Sequence, residues 1–513
     1  MMSLSQRSAT TLFDLTADFT ESHHCADVEV KGIALDSRQV EVGDLFVAVQ
    51  GGQTHGAGYI SQAIDRGAVA ILVDSDAVDE YLSFSHIVPI VGIDKLIEHV
   101  SHIAGIFYAI PSRGMALTAI TGTNGKTTCS RLYAALAESL EGNSAAFIGT
   151  LGYGMVNAID RHLPAVPNTG LTTPDAVSMQ KILDELRAEG ATTVALEVSS
   201  HSLDQYRVAG LKIDTAVFTN LSRDHLDYHG DFQTYAAAKA RLFLMAGLKT
   251  AVINIDDSAG CVILAGLNPN VQAITFSVEN SSADIYCHTI NHTAEGLRAV
   301  VCTTWGEGEI CSPLLGRFNL ANLLAVIGCG VAQGFSLADI LRAVPKLPAV
   351  SGRMELIDAK ALPLVVVDYA HTPDALKNAL QTLRDHCHGR LWVVFGCGGD
   401  RDIGKRAEMG AIAAKWADQV VVTSDNPRYE DPQLIIQHIV EGVCADVIVE
   451  PDRRAAIREA IIQADTSDVV IIAGKGHEDY QILAAERLPF SDQNEARLAL
   501  RAREVLQMKV GLK

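Results

Sequence analysis

Lysine and arginine are outnumbered in this chain, 41 against 61 aspartates and glutamates, for a formal net charge of −20. So acidic a surface repels the phosphates of a nucleic acid, so that partner is excluded. Any anionic ligand must be held by a few local Arg and Lys side chains. The ten cysteines include no C-x-x-C pair, so neither a zinc ribbon nor a disulfide framework is expected, which suits a reducing cytoplasm. His386-Cys387-His388 is read as a surface turn, because adjacent ligands point apart on a helix. No apolar run approaches the roughly 20 residues that span a bilayer, and no apolar signal opens the chain. The expectation is a cytoplasmic protein with no membrane insertion. Internal repeats and low-complexity tracts are missing as well.

What is present is length and alternation. A chain of 513 residues holds about three domains, each large enough for its own core. The first stretch carries short strands, Gly32–Leu35, Asp44–Val49 and Ala68–Val73, with a helix over Tyr59–Arg66, and reads as a small α/β domain. A helix over Lys95–Tyr108 leads to a linker at Pro111–Gly114. From Met115 strand and helix alternate: a glycine loop, Ser144–Ile148, the helix Ala176–Glu189, then Thr192–Val198 and Thr215–Asn220. Such alternation predicts a mostly parallel sheet covered on both faces, with ligands at the carboxyl ends of its strands. Residues 251–313 turn β-rich before a helix opens at Asn319. Beyond Pro345–Pro348 the strands Pro363–Asp368, Arg390–Phe395, Gln419–Thr423 and Asp468–Ala473 predict a second, Rossmann-like doubly wound domain. The expected boundaries are 1–112, 113–348 and 349–513.

The stretch Thr121-Gly-Thr-Asn-Gly-Lys-Thr-Thr128 lies between an apolar strand, Met115–Ile120, and a helical run from Cys129. Strand, glycine loop and helix make a phosphate-binding arrangement: Gly122 and Gly125 let the backbone curl, and the helix N-terminus adds partial positive charge. Lys126 then meets the β- and γ-phosphates and the Thr127 hydroxyl a magnesium ion. Glu197, and His225 with Asp224 or Asp227, end the neighbouring strands and are candidates to join them. Lys239, set among alanines in Tyr235–Phe243, reads by itself as a solvated helix lysine. In the last domain three strand ends present Arg401, Arg428 and Lys475 together with Asp425 and Glu478. This describes a pocket for a zwitterion, since arginines clamp carboxylates and carboxylates accept an ammonium.

These residues resemble, across essentially the whole chain, those of the Mur ligases, ATP-dependent amino-acid-adding enzymes of peptidoglycan synthesis. The resemblance implies that Gly122, Thr123, Asn124, Gly125, Lys126, Thr127 and Thr128 form the ATP loop and that Glu197 and His225 are magnesium ligands. It also implies that Asn319 and Asn322 lie on the adenine side and that Arg353 and Asp368 contact the nucleotide. It further implies that Lys239 is carbamylated, a carboxylate-like magnesium ligand, which reverses the solvated reading. The chain is most similar to the family members that add the third residue of the peptide. Leu35, Ser37 and the turn Gly52-Gln53-Thr54 are then expected to hold the uridine part of a UDP-N-acetylmuramoyl dipeptide. Thr172, Thr173, Ser199, Gln205 and Arg207 are expected to hold its muramoyl-dipeptide part. Asp425-Asn426-Pro427-Arg428 resembles the signature of members that use meso-diaminopimelate, with Arg401, Gly474 and Glu478 completing the pocket. Arg428 offers a fork for the distal carboxylate that distinguishes diaminopimelate from lysine. A monomer is expected, with ATP between the last two domains and a hinge near Pro345–Ser351.

Two other classes share parts of this pattern. A P-loop switch or motor has the loop but no need of a zwitterion pocket. A folylpolyglutamate synthetase shares the ATP site and a modified lysine, but not the N-terminal domain or the Asp-Asn-Pro-Arg segment. A non-catalytic binding module would not need Lys126, Glu197 and Lys239 together.

Overall fold

The structure is a computed structural model that describes residues 10–20, 28–51, 55–142, 144–156, 167, 169–293, 296–357 and 363–511. Three sheets organise it. The first is four-stranded and wholly parallel, in the order Gly32–Ala34, Asp44–Val47, Ala70–Asp74, Ile90–Ile93. Its last strand went unread in the sequence because Ile90-Val-Gly-Ile93 is short and interrupted by glycine, a weak strand signal.

The second sheet has ten strands, and the glycine-loop strand Ala116–Thr121 lies inside it, flanked by Thr193–Glu197 and Thr215–Phe218. Thr250–Asn254 and Gln272–Ser277 continue it in parallel beyond Thr215–Phe218, so the stretch read as β-rich begins as part of the main sheet. Only from Ile285–Thr293 onward does it become an antiparallel ribbon, through Gly296–Thr303 and Gly306–Ser312. Every residue of Thr193–Glu197 and Ala145–Gly149 is buried, as parallel strands covered on both faces require. The cover includes Lys126–Glu141 and Arg317–Ala332, two helices that pack together. The second is buried along most of its length, the mark of a helix inside a core rather than at its surface.

The third sheet has six strands in the order Glu355–Ile357, Leu364–Asp368, Val469–Ala473, Leu391–Phe395, Gln419–Val422, Val447–Val449. All pairs are parallel except the first. Strand order therefore reverses beside Val469–Ala473, the place where open α/β sheets leave a crevice at their carboxyl edge. No helix among the described residues is long and apolar enough to cross a membrane.

Candidate active site

The loop after Ala116–Thr121 folds as its glycines dictate. Gly125 has φ +87° and starts the helix at Lys126, one turn earlier than the apolar pattern suggested. A Cβ on Gly122 would collide with the Thr219 hydroxyl, and one on Gly125 would meet Asn322 Oδ1 at 2.5 Å. Lys126 bends back over the loop and donates to the carbonyls of Gly122 (2.8 Å) and Thr123 (2.9 Å). Burial lowers its pKa, against the pull of Glu197 and Asp224. Asn124 N–H donates to Asn220 Oδ1 at 2.9 Å, and Thr123 Oγ1 lies 3.0 Å from the Tyr235 hydroxyl. Thr128, in the first turn of the helix, is buried.

Glu197 ends a strand paired with the loop strand, Glu197 opposite Ile120. It is 1% exposed. Its carboxylate accepts from Thr127 Oγ1 (3.0 Å), Thr150 N–H (2.9 Å) and Thr150 Oγ1 (3.0 Å). Thr150 was missed by sequence reasoning; its signal was its place just beyond the strand Ala145–Gly149. With its proton on Glu197, Thr150 Oγ1 accepts from Thr172 Oγ1 at 3.1 Å. From there a patch continues: Thr173 Oγ1 donates to the Glu197 carbonyl (2.9 Å) and accepts from Ser199 N–H (3.1 Å). Arg207 donates to the Thr173 carbonyl (2.8 Å) and to Gln205 Oε1 (2.9 Å). Thr172, Thr173, Ser199, Gln205 and Arg207 are thus one hydrogen-bonded surface adjoining Glu197.

His225 follows the strand on the other side of the loop and has a left-handed backbone, φ +53°. Its ring lies 3.4 Å from Asp224 Oδ2 and packs edge-on against His201, with centroids 4.8 Å apart. Burial, reinforced by Lys126 and Lys239, brings the His225 pKa down to about 4 in spite of Asp224.

Lys239 is not solvated. The helix Phe232–Ala240 turns it inward, where it is 1% exposed. Its amine donates to the Gly122 carbonyl at 2.9 Å and stands 4.5 Å from the Tyr235 ring centroid. Burial first, and repulsion by Lys126 second, hold its pKa well below the ordinary lysine value. Both influences favour the neutral, nucleophilic form of the amine.

Asn319 donates to the Leu315 carbonyl (2.8 Å) and Asn322 to Asn319 Oδ1 (3.1 Å). Asn322 lies directly against the phosphate loop, its Oδ1 receiving the Cys129 thiol at 3.4 Å. Arg353 reaches the same loop from the third sheet's side, donating to Thr127 Oγ1 at 3.2 Å while its guanidinium lies 4.3 Å from the Tyr369 ring centroid. Asp368 accepts from Met354 N–H (2.7 Å) and Ala370 N–H (2.8 Å), and burial raises its pKa. Gly352, φ +64°, is packed so closely on the Gly476–His477 backbone that a Cβ has no room there.

At the carboxyl edge of the third sheet three loops converge. Asn426 donates to Glu478 Oε2 (2.8 Å) and accepts from Lys475 Nζ (3.0 Å) through its Oδ1. Lys475 also reaches Glu478 Oε2 at 3.1 Å and lies 3.9 Å from Asp425 Oδ1. It is wholly buried, so among the strand-end cations that the sequence grouped here, Lys475 is held by the loops' own carboxylates and Asn426. Gly474 has φ +114°, and a Cβ there would meet Asp425 Oδ2 at 2.5 Å. Arg428, itself left-handed at φ +53°, donates to the Gly399 carbonyl at 2.7 Å; Pro427 packs on Gly399; Arg401 is exposed at the rim. Arg223 approaches Asp402 across the two sheets at 3.9 Å.

Leu35 and Ser37 belong to the four-stranded unit, where Ser37 is buried and donates to Gln62 Oε1 at 2.7 Å. Gly52, Gln53 and Thr54 lie outside the described residues. His386-Cys387-His388 follows the helix Pro373–Arg384, the Cys387 thiol donating to the Gly389 carbonyl at 3.4 Å.

A phosphate loop in a parallel sheet, joined to a second α/β unit whose strand ends carry paired ions and preceded by a small parallel sheet, defines a three-unit nucleotide-dependent enzyme. Three family descriptions match it in order: "Mur ligase family, catalytic domain" over residues 29–101, "Mur ligase middle domain" over 120–330, and "Mur ligase, glutamate ligase domain" over 352–476. The chain belongs to the Mur ligase family. It is 48% identical over 483 residues to the UDP-N-acetylmuramoyl-L-alanyl-D-glutamate--2,6-diaminopimelate ligase of Pseudomonas aeruginosa, covering 93% of this chain and 96% of that one. The enzyme of the same name from Coxiella burnetii is 44% identical over 481 residues, again covering 93% and 96%. A solved structure of a ligase of that name matches 97% of this chain and 100% of its own, at 35% identity and a TM-score of 0.69.

Proposed function

We propose that this chain joins meso-diaminopimelate to the D-glutamate of UDP-N-acetylmuramoyl-L-alanyl-D-glutamate with ATP, in cytoplasmic peptidoglycan precursor synthesis. The observation that supports this reading most directly is the hydrogen bond from Arg353, on the third sheet's side, to Thr127 of the phosphate loop. Relatives at 44–48% identity over more than nine-tenths of the chain bear the name of this activity.

In the proposed sequence the γ-carboxylate of the dipeptide's glutamate attacks the γ-phosphorus of ATP and ADP leaves, giving an acyl phosphate. The amine of diaminopimelate then attacks the acyl carbon, phosphate leaves, and the amine's proton is lost to solvent or base as the amide forms. Lys126 exchanges its loop carbonyls for β- and γ-phosphate oxygens and stabilises the charge that develops there. Asn319, Asn322, Arg353 and Asp368 are assigned to the nucleotide. Thr172, Thr173, Ser199, Gln205 and Arg207 hold the muramoyl dipeptide, and Leu35, Ser37 and residues 52–54 the uridine end. Asp425, Asn426, Pro427, Arg428, Arg401, Gly474 and Glu478 hold diaminopimelate.

The Glu197 carboxylate and Thr127 hydroxyl are hard oxygen donors, the chemistry that suits magnesium, and His225 stands at the adjoining strand end. When bound, magnesium neutralises phosphate charge in such a site. Lys239 is assigned a carbamate: its neutral buried amine adds to carbon dioxide with loss of a proton, turning a base into an anionic oxygen ligand. The domains are assigned to residues 1–112, 113–348 and 349–513, acting as a monomer, with closure about the segment near Pro345–Ser351 excluding water from the acyl phosphate.

The test is phosphate release with ATP and UDP-N-acetylmuramoyl-L-alanyl-D-glutamate, comparing meso-diaminopimelate with L-lysine. Turnover with the first and little with the second is expected. Equal use of lysine would sink the specificity, and no turnover with either would sink the assignment.

A further inference from the structure

The antiparallel ribbon that extends the central sheet takes no part in the chemistry above. Its outer face nonetheless gathers three metal-ligating side chains from three successive strands. Cys302 is paired across the ribbon with Tyr286 on one side and Glu307 on the other, so these share one row on one face. His288 is two residues beyond Tyr286 and therefore diagonal to Cys302 on the same face. A nitrogen of His288, the Cys302 sulfur and a carboxylate oxygen of Glu307 all lie within 4.8 Å of one another, with His288 Nε2 to Glu307 Oε1 at 3.9 Å.

Two further observations bear on the histidine. Its Nδ1 is 2.9 Å from the Thr289 hydroxyl, which leaves Nε2 facing the group; metal-bound histidines are oriented by such a bond at the other ring nitrogen. The ladder is also broken immediately after His288, where the register shifts and Thr289 has φ +54°. A β-branched residue in the left-handed region is strained, and bulges commonly re-aim a neighbouring side chain. The backbone is bent at the residue next to the one whose ring faces the other two donors.

We propose that His288, Cys302 and Glu307 bind a divalent transition ion of borderline softness, zinc being the physiological representative. Nitrogen, thiolate and carboxylate are the zinc donor set, and three protein ligands leave a fourth position for water. Donor atoms around a tetrahedral zinc lie roughly 3.3–3.8 Å apart for its usual bond lengths. The widest gap therefore closes by about 1 Å of movement in side chains that are exposed or half-buried. Binding breaks the thiol S–H bond and releases that proton to solvent, and the metal–sulfur bond takes its place; no electron changes hands. The bound ion cross-links three strands at a distance from the phosphate loop in the fold, and its first consequence is a stiffer ribbon.

Cobalt(II) added to the whole chain is the probe, because thiolate-to-cobalt charge transfer gives a near-ultraviolet band that oxygen and nitrogen ligands do not. The expected result is a band saturating at one cobalt per chain, displaced by zinc. It should be lost in Cys302→Ser, weakened at least tenfold in apparent affinity in His288→Ala and Glu307→Gln, and unchanged in Cys261→Ser, an exposed cysteine elsewhere. No band in the wild type, or a band that survives Cys302→Ser, would overturn the site. A band lost in Cys302→Ser but untouched by His288→Ala and Glu307→Gln would show a lone thiolate binding cobalt, and would overturn it equally. Circular dichroism of each variant separates lost ligation from lost folding, and the two non-cysteine variants keep the test decisive if Cys302→Ser fails to fold.

Discussion

Lys239 and Lys475 are buried to nearly the same degree, 1% and 0% exposed, at the edges of two different sheets, and their company is opposite. Lys239 has a backbone carbonyl for a partner and another lysine as its first charged influence. Lys475 touches Asn426 and Glu478 and lies close to Asp425. Burial alone therefore says little about a lysine. Without a paired carboxylate, burial favours the neutral amine, the form open to covalent modification; among carboxylates the buried lysine becomes a fixed strut.

The comparison breaks most visibly at Lys239. Lys239→Ala is expected to lower kcat by about 10³-fold, the scale of a lost electrostatic contact in a closed site, and excess bicarbonate should not restore it. Carbon-13 bicarbonate should give a carbamate resonance in the wild type and none in the variant; a wild type without that resonance breaks the contrast. Lys475→Met removes the cation beside Glu478 and Asp425, which is expected to cost about 3 kcal/mol by denaturant titration. A variant as stable as the parent would show that the strut is not one.

Arg428→Lys keeps the charge but loses the planar fork. The preference for meso-diaminopimelate over L-lysine in kcat/KM is expected to fall by about 2 kcal/mol, roughly 30-fold. An unchanged ratio would move specificity elsewhere in the pocket.

The smallest effect is in pH. Burial first, then neighbouring cations, bring His201 and His225 from 6.5 to about 4 in the fold. Between those values the unfolded chain binds the protons that the folded chain refuses, so stability is retained above 6.5 and lost as pH falls toward 4. Urea titrations of wild type and His201→Asn over that range should show the variant with the flatter dependence. Equal slopes would mean that the ring is protonated in the fold.

How much of this was legible depended on whether a residue's role is local. Thr121–Thr128 announced itself because its two glycines and Gly-Lys-Thr-Thr run stand together between an apolar strand and a helical stretch, although the helix starts one turn earlier than its apolar pattern suggested. Glu197 and His225 were visible as polar residues ending apolar strands. The inward turn of Lys239 was not, because the alanines around it leave no polar face to tell inside from outside. Thr150 was silent for a related reason: a threonine after a strand is common, and only the pairing of Thr193–Glu197 with Ala145–Gly149 brings it to Glu197. The burial of Lys475 required, besides its near neighbour Glu478, a partner from a loop far away in sequence, Asn426, which no local pattern encodes.

The close packing of Gly352 on Gly476 and His477 carries a mechanical meaning. The residue next to Arg353 has no clearance from the loop that ends in Glu478, so the arm that touches the phosphate loop is packed directly on that loop. If Glu478 lines the amine pocket and Arg353 meets the nucleotide as proposed, a shift of Arg353 when a triphosphate arrives is expected to reach that pocket through this contact.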